Sequence, residues 1–271
     1  MNARLGGLHL YPVKSAAGIA CESAILEPYG LRHDREWMIV DLFGRGITQR
    51  DDARLALLRT ALDDTHLRLA NPEGAGPAVA LRHEGERREV QVWGAKCLAF
   101  DAGDEVATFL ADWLGRPLRL VRFDESRTRY SNPDWTAGRD VPTLFTDGFP
   151  LLVLARNSVG DLAARVGRAL PIERFRPNLV LDDIEAYGED RATNMRIGAV
   201  HCVLTKACVR CVITTIDHER GERTDEEPLR TLKTYRFDAA LRGVVFGRNA
   251  YVTTGAGAIL HRGTAVELGS P

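Results

Sequence analysis

The run Lys206-Ala-Cys-Val-Arg-Cys-Val-Ile-Thr-Thr-Ile216 places Cys208 and Cys211 around Arg210, just ahead of an apolar, β-branched stretch. Thiolates are the soft ligands and nucleophiles of proteins, and a neighbouring cation favours the thiolate over the thiol. A Cys-x-x-Cys pair by itself fits a redox pair, half of a zinc site or two structural cysteines. A zinc site needs two more ligands, and the nearest, His201 and Cys202, are neighbours in a strand-like run and so point to opposite faces. A thioredoxin-type pair sits between a strand and a helix start, whereas here the pair precedes Val212–Ile216, which reads as another strand.

Other residues could build a site from loops. Arg176-Pro177-Asn178, ahead of Leu179-Val-Leu181, offers a forked cation and an amide, which suit a phosphate or a heterocycle edge. Lys14-Ser15 follows Pro12, and Asp34-Arg35 precedes a strand; both put basic residues at strand ends, where rigid scaffolds carry binding groups. Asp147-Gly148, before Pro150 and Leu151–Leu154, is a site carboxylate or a turn. Each also has a plainer reading as a surface turn. His33, His66 and His83 lack partners at ligand spacing and read as surface residues.

The elements that must position these residues are mainly β. Leu8–Leu10 is a short alternating run. Glu36–Val40 with Ile47–Arg50 reads as one hairpin, and Val79–Arg82 with Arg88–Trp93 as a second. Short strands at this spacing predict a small barrel or sandwich. Helical periodicity covers Asp104–Leu114, with Asp104 as N-cap and Gly115 beyond the end, and Ser158–Val166, with Ser158 and Asp161 resembling a capping box. Pro228 opens a third short helix through Tyr235. The polar segment Asp124–Asp134, with Ser126, Arg127, Arg129 and Ser131, is a linker or a loop over a site.

Bulk composition narrows the function classes. The 271 residues are 45% hydrophobic and 27% charged, an ordinary globular balance with ample material for a core. Basic and acidic residues number 36 and 37, so no global field gathers nucleic acid or an anionic membrane; an anion site must be a local cluster. No apolar run approaches the roughly 18 residues of a membrane span, and five cysteines make no disulfide framework. A cytoplasmic protein is expected.

Taken together, Tyr11-Pro12-Val13-Lys14-Ser15, Gly30-Leu31 with Asp34-Arg35, Phe175–Asn178, Ala207–Asp217 and Pro228–Arg236 resemble the MOSC-domain proteins, above all the amidoxime-reducing kind. The resemblance runs over essentially the whole chain. It implies a mainly β (α+β) fold, with a MOSC N-terminal β-barrel-like domain over residues 1–122 and a MOSC β-barrel domain over 123–271. It also implies a molybdenum cofactor, a pyranopterin whose metal is ligated by Cys211. The matching positions that hold pterin and phosphate are Lys14, Ser15, Arg35, Arg176, Asn178 and Arg210. Asp147 matches a carboxylate near the metal and is a candidate proton donor, and Cys208 matches a cysteine that is not the ligand.

The implied reaction is two-electron reduction of an N-hydroxylated substrate to the N–H compound and water. Its alternative is a MOSC-type carrier of cofactor or sulfur without turnover. Some relatives carry a C-terminal iron–sulfur domain and others an N-terminal targeting segment. This sequence starts at its first strand and has no cysteine beyond Cys211. The expectation is therefore a bacterial-type cytoplasmic form with a separate, transient electron-donor protein as partner, and neither nucleic acid nor membrane.

Overall fold

The structure is a computed structural model that describes residues 1–126 and 128–270, so Arg127 lies outside it. Seven strands form a closed barrel: β1 (Asn2–Leu10), β2 (Leu151–Ala155), β3 (Leu179–Asp182), β4 (Asn194–Ile197), β5 (Val200–Val209), β6 (Gly243–Thr254) and β7 (Ala265–Gly269). The order around the barrel is β2-β3-β1-β7-β4-β5-β6, and β6 closes onto β2 through Leu151↔Ala250. Every pairing is antiparallel except β2–β3. That parallel pair needs a crossover, which helix α2 (Arg156–Val166) supplies. Closure leaves no free edges among these seven strands, and their inward residues fill the interior. Leu5, Leu8, Val153, Leu179, Leu181, Met195, Cys202 and Leu268 are all buried there. Each fully buried aliphatic side chain contributes about 1.5–3 kcal/mol.

A second unit lies in the chain between β1 and β2. Trp37–Val40, Arg119–Phe123, Ala95–Asp101 and Arg87–Val92 form an antiparallel sheet in that order, and Arg59–Leu62, His66–Asn71 and Gly74–Ala80 form a meander. Helix α1 (Asp104–Leu114) presents Val106, Leu110, Trp113 and Leu114 to one shared core with Trp37, Ile39, Leu67 and Val79. Its extent is the one its periodicity predicts. Gly115, in the left-handed region at φ 72°, ends it by donating to Ala111 O, but the N-cap is Gly103, so Asp104 is instead a first-turn acid favoured by the helix dipole.

Further expectations need correction. The second hairpin does not form: Gly74–Ala80 pairs with His66–Asn71, and Arg87–Val92 with Ala95–Asp101. Alternation marks a strand and its faces without naming a partner. Tighter turns settled the matter, one held by Asn71 Oδ1 and one at Trp93-Gly94. Ser158 makes no capping box; its hydroxyl donates to buried Glu189 at 2.9 Å. His33 and His83 are half-buried with partners, Glu36 and Asp101 O, whereas His66 is a surface residue whose contact with Thr65 is exposed.

Two strands of the first 31 residues pair with strands from the C-terminal half. β1 joins β3 and β7, Ile19–Cys21 adds to β1, and Ser23–Glu27 pairs with Ile259–His261. A division at 122/123 therefore describes sequence order, not strand partnership. Gly30, at φ 114°, allows close approach to the segment before β2: a Cβ there would lie 2.6 Å from Pro150 O.

Candidate cofactor and active site

β1 is antiparallel to β3, and β3 is parallel to β2, so the C-terminal end of β1 and the N-terminal ends of β2 and β3 meet. Those ends carry Lys14-Ser15, Asp147 and Arg176–Asn178. β5 shows three register shifts against β6, and the chain beyond it is held by Arg210 N–H on Val244 O at 2.7 Å. This brings Arg210 and Cys211 into the same cleft. Lys14, Ser15, Arg35, Asp147, Arg176, Asn178, Arg210 and Cys211, eight residues from five loops, line it together with Cys208.

The residues after Cys211 are not the strand expected from their β-branched character. Val212–Thr215 is a 3-10 turn with Cys211 as its N-cap, and Thr214 N–H returns to Cys211 O at 3.1 Å. β-propensity reflects packing on a half-buried pleated surface, and this stretch instead buries Ile213, Thr214 and Thr215 in one turn. The turn ends the strand direction and leaves Cys211 at the cleft wall. Cys208 and Cys211 are both free thiols. Cys202 is buried and His201 exposed, as their opposite faces require, and no metal-ligand cluster of three or more such groups occurs among the described residues.

Cations dominate the cleft. Lys14 Nζ pairs with Asp147 and donates to Phe145 O at 2.8 Å, and burial lowers its pKa from the usual lysine value. Arg35 and Arg176 each lie 4.3 Å from the ring centre of Tyr11. Arg35 is neutralised by buried Asp34. Arg176 donates to Ala16 O at 2.6 Å, but its Nη2 is buried without a hydrogen-bond partner among the described residues. Burial, then the charge of Arg35, pulls its guanidinium down to about 10. Arg210 donates to Cys208 Sγ at 3.0 Å and to Phe175 O at 2.7 Å, and its Nε is likewise buried and unpartnered. Buried donors left unpaired cost about 1–3 kcal/mol each. Asn178 differs: its amide joins Leu152 N and His9 O at 3.2 Å each, so it ties β2 to the end of β1 while lining the cleft.

Asp147 is the cleft's carboxylate. Its side chain is 58% accessible, yet burial by the surrounding walls works to raise its pKa. The Lys14 ammonium, Trp93 Nε1 at 3.0 Å and Arg50 at 3.8 Å outweigh that and hold it well below the usual carboxylate range. It is ionised at neutral pH. Ser15, Arg35, Trp93 and Arg176 all have φ between 51° and 67°, a conformation costly for residues with a side chain. Such strain concentrates where the surroundings over-determine a functional geometry.

Sequence reasoning missed two contributors, Arg50 and Trp93, and named a third, Arg129, only within a segment read as a linker or a loop over a site. Arg50 donates to Cys211 Sγ at 3.0 Å and faces Asp147. Trp93 holds Asp147 from a hairpin tip. Arg129 donates to Thr143 Oγ1, Leu144 O, Thr146 O and Asp147 O, and so fixes the loop that carries the carboxylate. The available signal was that Arg50 is one more basic residue at a strand end, like Lys14 and Arg35.

Residues 2–117 match the MOSC N-terminal beta barrel domain and residues 140–269 the MOSC domain. Over 268 residues the chain is 30% identical to zebrafish mitochondrial amidoxime-reducing component 1, covering 96% of this chain and 82% of that protein. The chain belongs to the MOSC-domain proteins. Rat mitochondrial amidoxime reducing component 2 is 33% identical over 240 residues, 84% of this chain and 70% of the relative. The human component 1 is 31% identical over 239 residues, 84% of this chain and 71% of the relative. The mainly β architecture expected from the resemblance is the one observed, a closed seven-strand barrel with additional sheets. No helix among the described residues is long and apolar enough to cross a membrane.

Proposed function

We propose that this MOSC protein is a molybdenum-cofactor-dependent reductase of N-hydroxylated compounds: amidoximes, hydroxylamines and N-hydroxylated bases. The observation that carries the reading is the convergence of Lys14, Arg35, Arg50, Arg176 and Arg210 on the cleft that also presents Cys211. Two of these lining residues carry a buried donor, Arg176 Nη2 and Arg210 Nε, without a hydrogen-bond partner among the described residues. An anionic pterin phosphate supplies acceptors for those donors, and a soft thiol suits the metal. The donor set fits the cofactor.

On this reading Lys14, Ser15, Arg35, Arg176, Asn178 and Arg210 hold pterin and phosphate, and Cys211 is the metal ligand. When bound, the cofactor supplies the two-electron chemistry that reduces the N–O bond to N–H and water. Arg50 lies against the thiol and the carboxylate at once, fixing their relative position. Asp147 is ionised, so it accepts hydrogen bonds and orients the substrate's N–H and O–H groups. Protons then come from solvent through the open cleft. Electrons come from a separate donor protein, bound through a small, salt-sensitive interface.

The test is expression in a host that makes the cofactor, analysis of metal and pterin, and reduction of benzamidoxime with reduced viologen. Bound molybdenum and amidine formation are expected. Bound cofactor without turnover of any N-hydroxylated compound would assign the chain to the carrier class, and protein with neither metal nor pterin would remove the cofactor reading.

A further inference from the structure

Trp93 sits where a tryptophan is locally unfavourable. It forms, with Gly94, the two-residue turn between Arg87–Val92 and Ala95–Asp101, at φ 52° and 92°. Turns of this kind favour Asn-Gly, because bulky residues resist positive φ. The indole is also 63% exposed, so burial does not offset that strain. Its orientation is nevertheless fixed: Nε1 donates to Asp147 Oδ1 at 3.0 Å, and the Arg50 guanidinium stacks 4.7 Å from the ring centre.

A second cavity, of about 350 Å³, adjoins the cleft at this point. Its walls include Lys14, Arg45, Arg50, Gln91 and Trp93, and it shares Lys14 and Arg50 with the cleft that holds Cys211. That volume is within the range of small-molecule sites. A compound with its N-hydroxyl group at Asp147 and the cleft cations thus has adjoining space, bounded by a fixed aromatic ring, for its remaining part.

Resting on the reductase reading, we propose that Trp93 is a specificity-determining residue: it carries the planar, aromatic portion of N-hydroxylated substrates in the second cavity. Trp93 positions by stacking and through Asp147, and takes no part in the redox step.

The test measures calorimetric binding of benzamidoxime and of its aliphatic analogue acetamidoxime to the cofactor-loaded protein, with no electron donor present. Wild type, Trp93→Asn and Trp93→Phe are compared, along with their melting temperatures. Trp93→Asn is expected to weaken benzamidoxime binding about tenfold more than acetamidoxime binding, a loss in keeping with one stacked aromatic pair. Its melting temperature should not fall, since asparagine suits the turn. Trp93→Phe keeps a ring and should lose less than about threefold. Equal losses for the two ligands, no loss in Trp93→Asn, a lowered melting temperature in that variant, or no binding of benzamidoxime by the wild type would each overturn the assignment. If selective binding holds but donor-driven reduction never occurs, the reductase reading fails while the aromatic subsite stands.

Discussion

Cys202 and Cys211 belong to one strand and its extension, yet they occupy opposite physical regimes. Cys202 points into the barrel among Leu204, Met195 and Val200, and burial alone pushes its thiol up to about 12. Cys211 stands half-buried at the cleft wall with a guanidinium donating to its sulfur. The barrel interior is stabilised by excluding polar groups. The cleft gathers cations, strained backbone and unpaired donors that a ligand-free protein does not need. Stability is thus built from the barrel strands and binding capacity from the loops beyond them, and substitutions in the two parts should differ in kind.

The largest expected effect is at the thiol. Cys211→Ser should abolish molybdenum retention and reductase activity while the protein melts normally; Cys208→Ser should keep most of both. Metal analysis with benzamidoxime turnover checks this, and equal metal loss in the two variants would indicate a two-cysteine site. In the barrel, Leu181→Ala should do the reverse, costing about 2–5 kcal/mol of unfolding free energy through the cavity it leaves. The protein that remains folded should bind cofactor as before. Urea titration with and without cofactor separates the two quantities, and a cofactor defect without destabilisation would break the contrast.

A smaller effect is expected at Arg176→Met. Losing a charge-assisted phosphate contact weakens cofactor binding by about 1.5–3 kcal/mol, roughly ten- to a hundredfold. The same change removes a buried unpaired donor and the repulsion from Arg35, so the cofactor-free protein should change by less than about 1 kcal/mol. A large loss of stability with pterin retained would make Arg176 structural. The smallest effect concerns pH. Asp147 has a lowered folded-state pKa, so its stabilising contribution is present above the unfolded value, near 3.9, and is lost as pH falls below it. The difference in urea midpoint between wild type and Asp147→Asn should be widest above about pH 5 and should close below pH ~4. With a side chain more than half accessible, the contribution stays under about 1 kcal/mol. A gap that widened on acidification would contradict the ionised assignment.

Much of this organisation was legible in residue order. The period of Val106, Phe109, Leu110, Trp113 and Leu114 determined α1, with Gly115 supplying the left-handed stop. The strict alternation of a strand determined that His201 and Cys202 face apart. The resemblance to the MOSC-domain proteins, carried by short motifs, pointed to eight side chains that share one cleft. These signals are local, or are carried by residue types that only a few backbone and charge environments accept.

Strand partnership was decided by the tertiary structure. Alternation fixes which face is buried but not which neighbour supplies the hydrogen bonds, so Arg87–Val92 chose Ala95–Asp101 across a two-residue turn over the more distant Val79–Arg82. The turn at Val212–Thr215 also came from packing, which overrode the preference of β-branched residues for a strand. Arg50 and Cys211 are separated by 161 positions in sequence, and only the folded chain places them 3.0 Å apart. Trp93 likewise gained its role from closure of a hairpin onto a loop 54 residues away. Sequence supplied the chemical groups of the cleft; long-range packing set which of them face one another, because no local preference encodes a partner that distant.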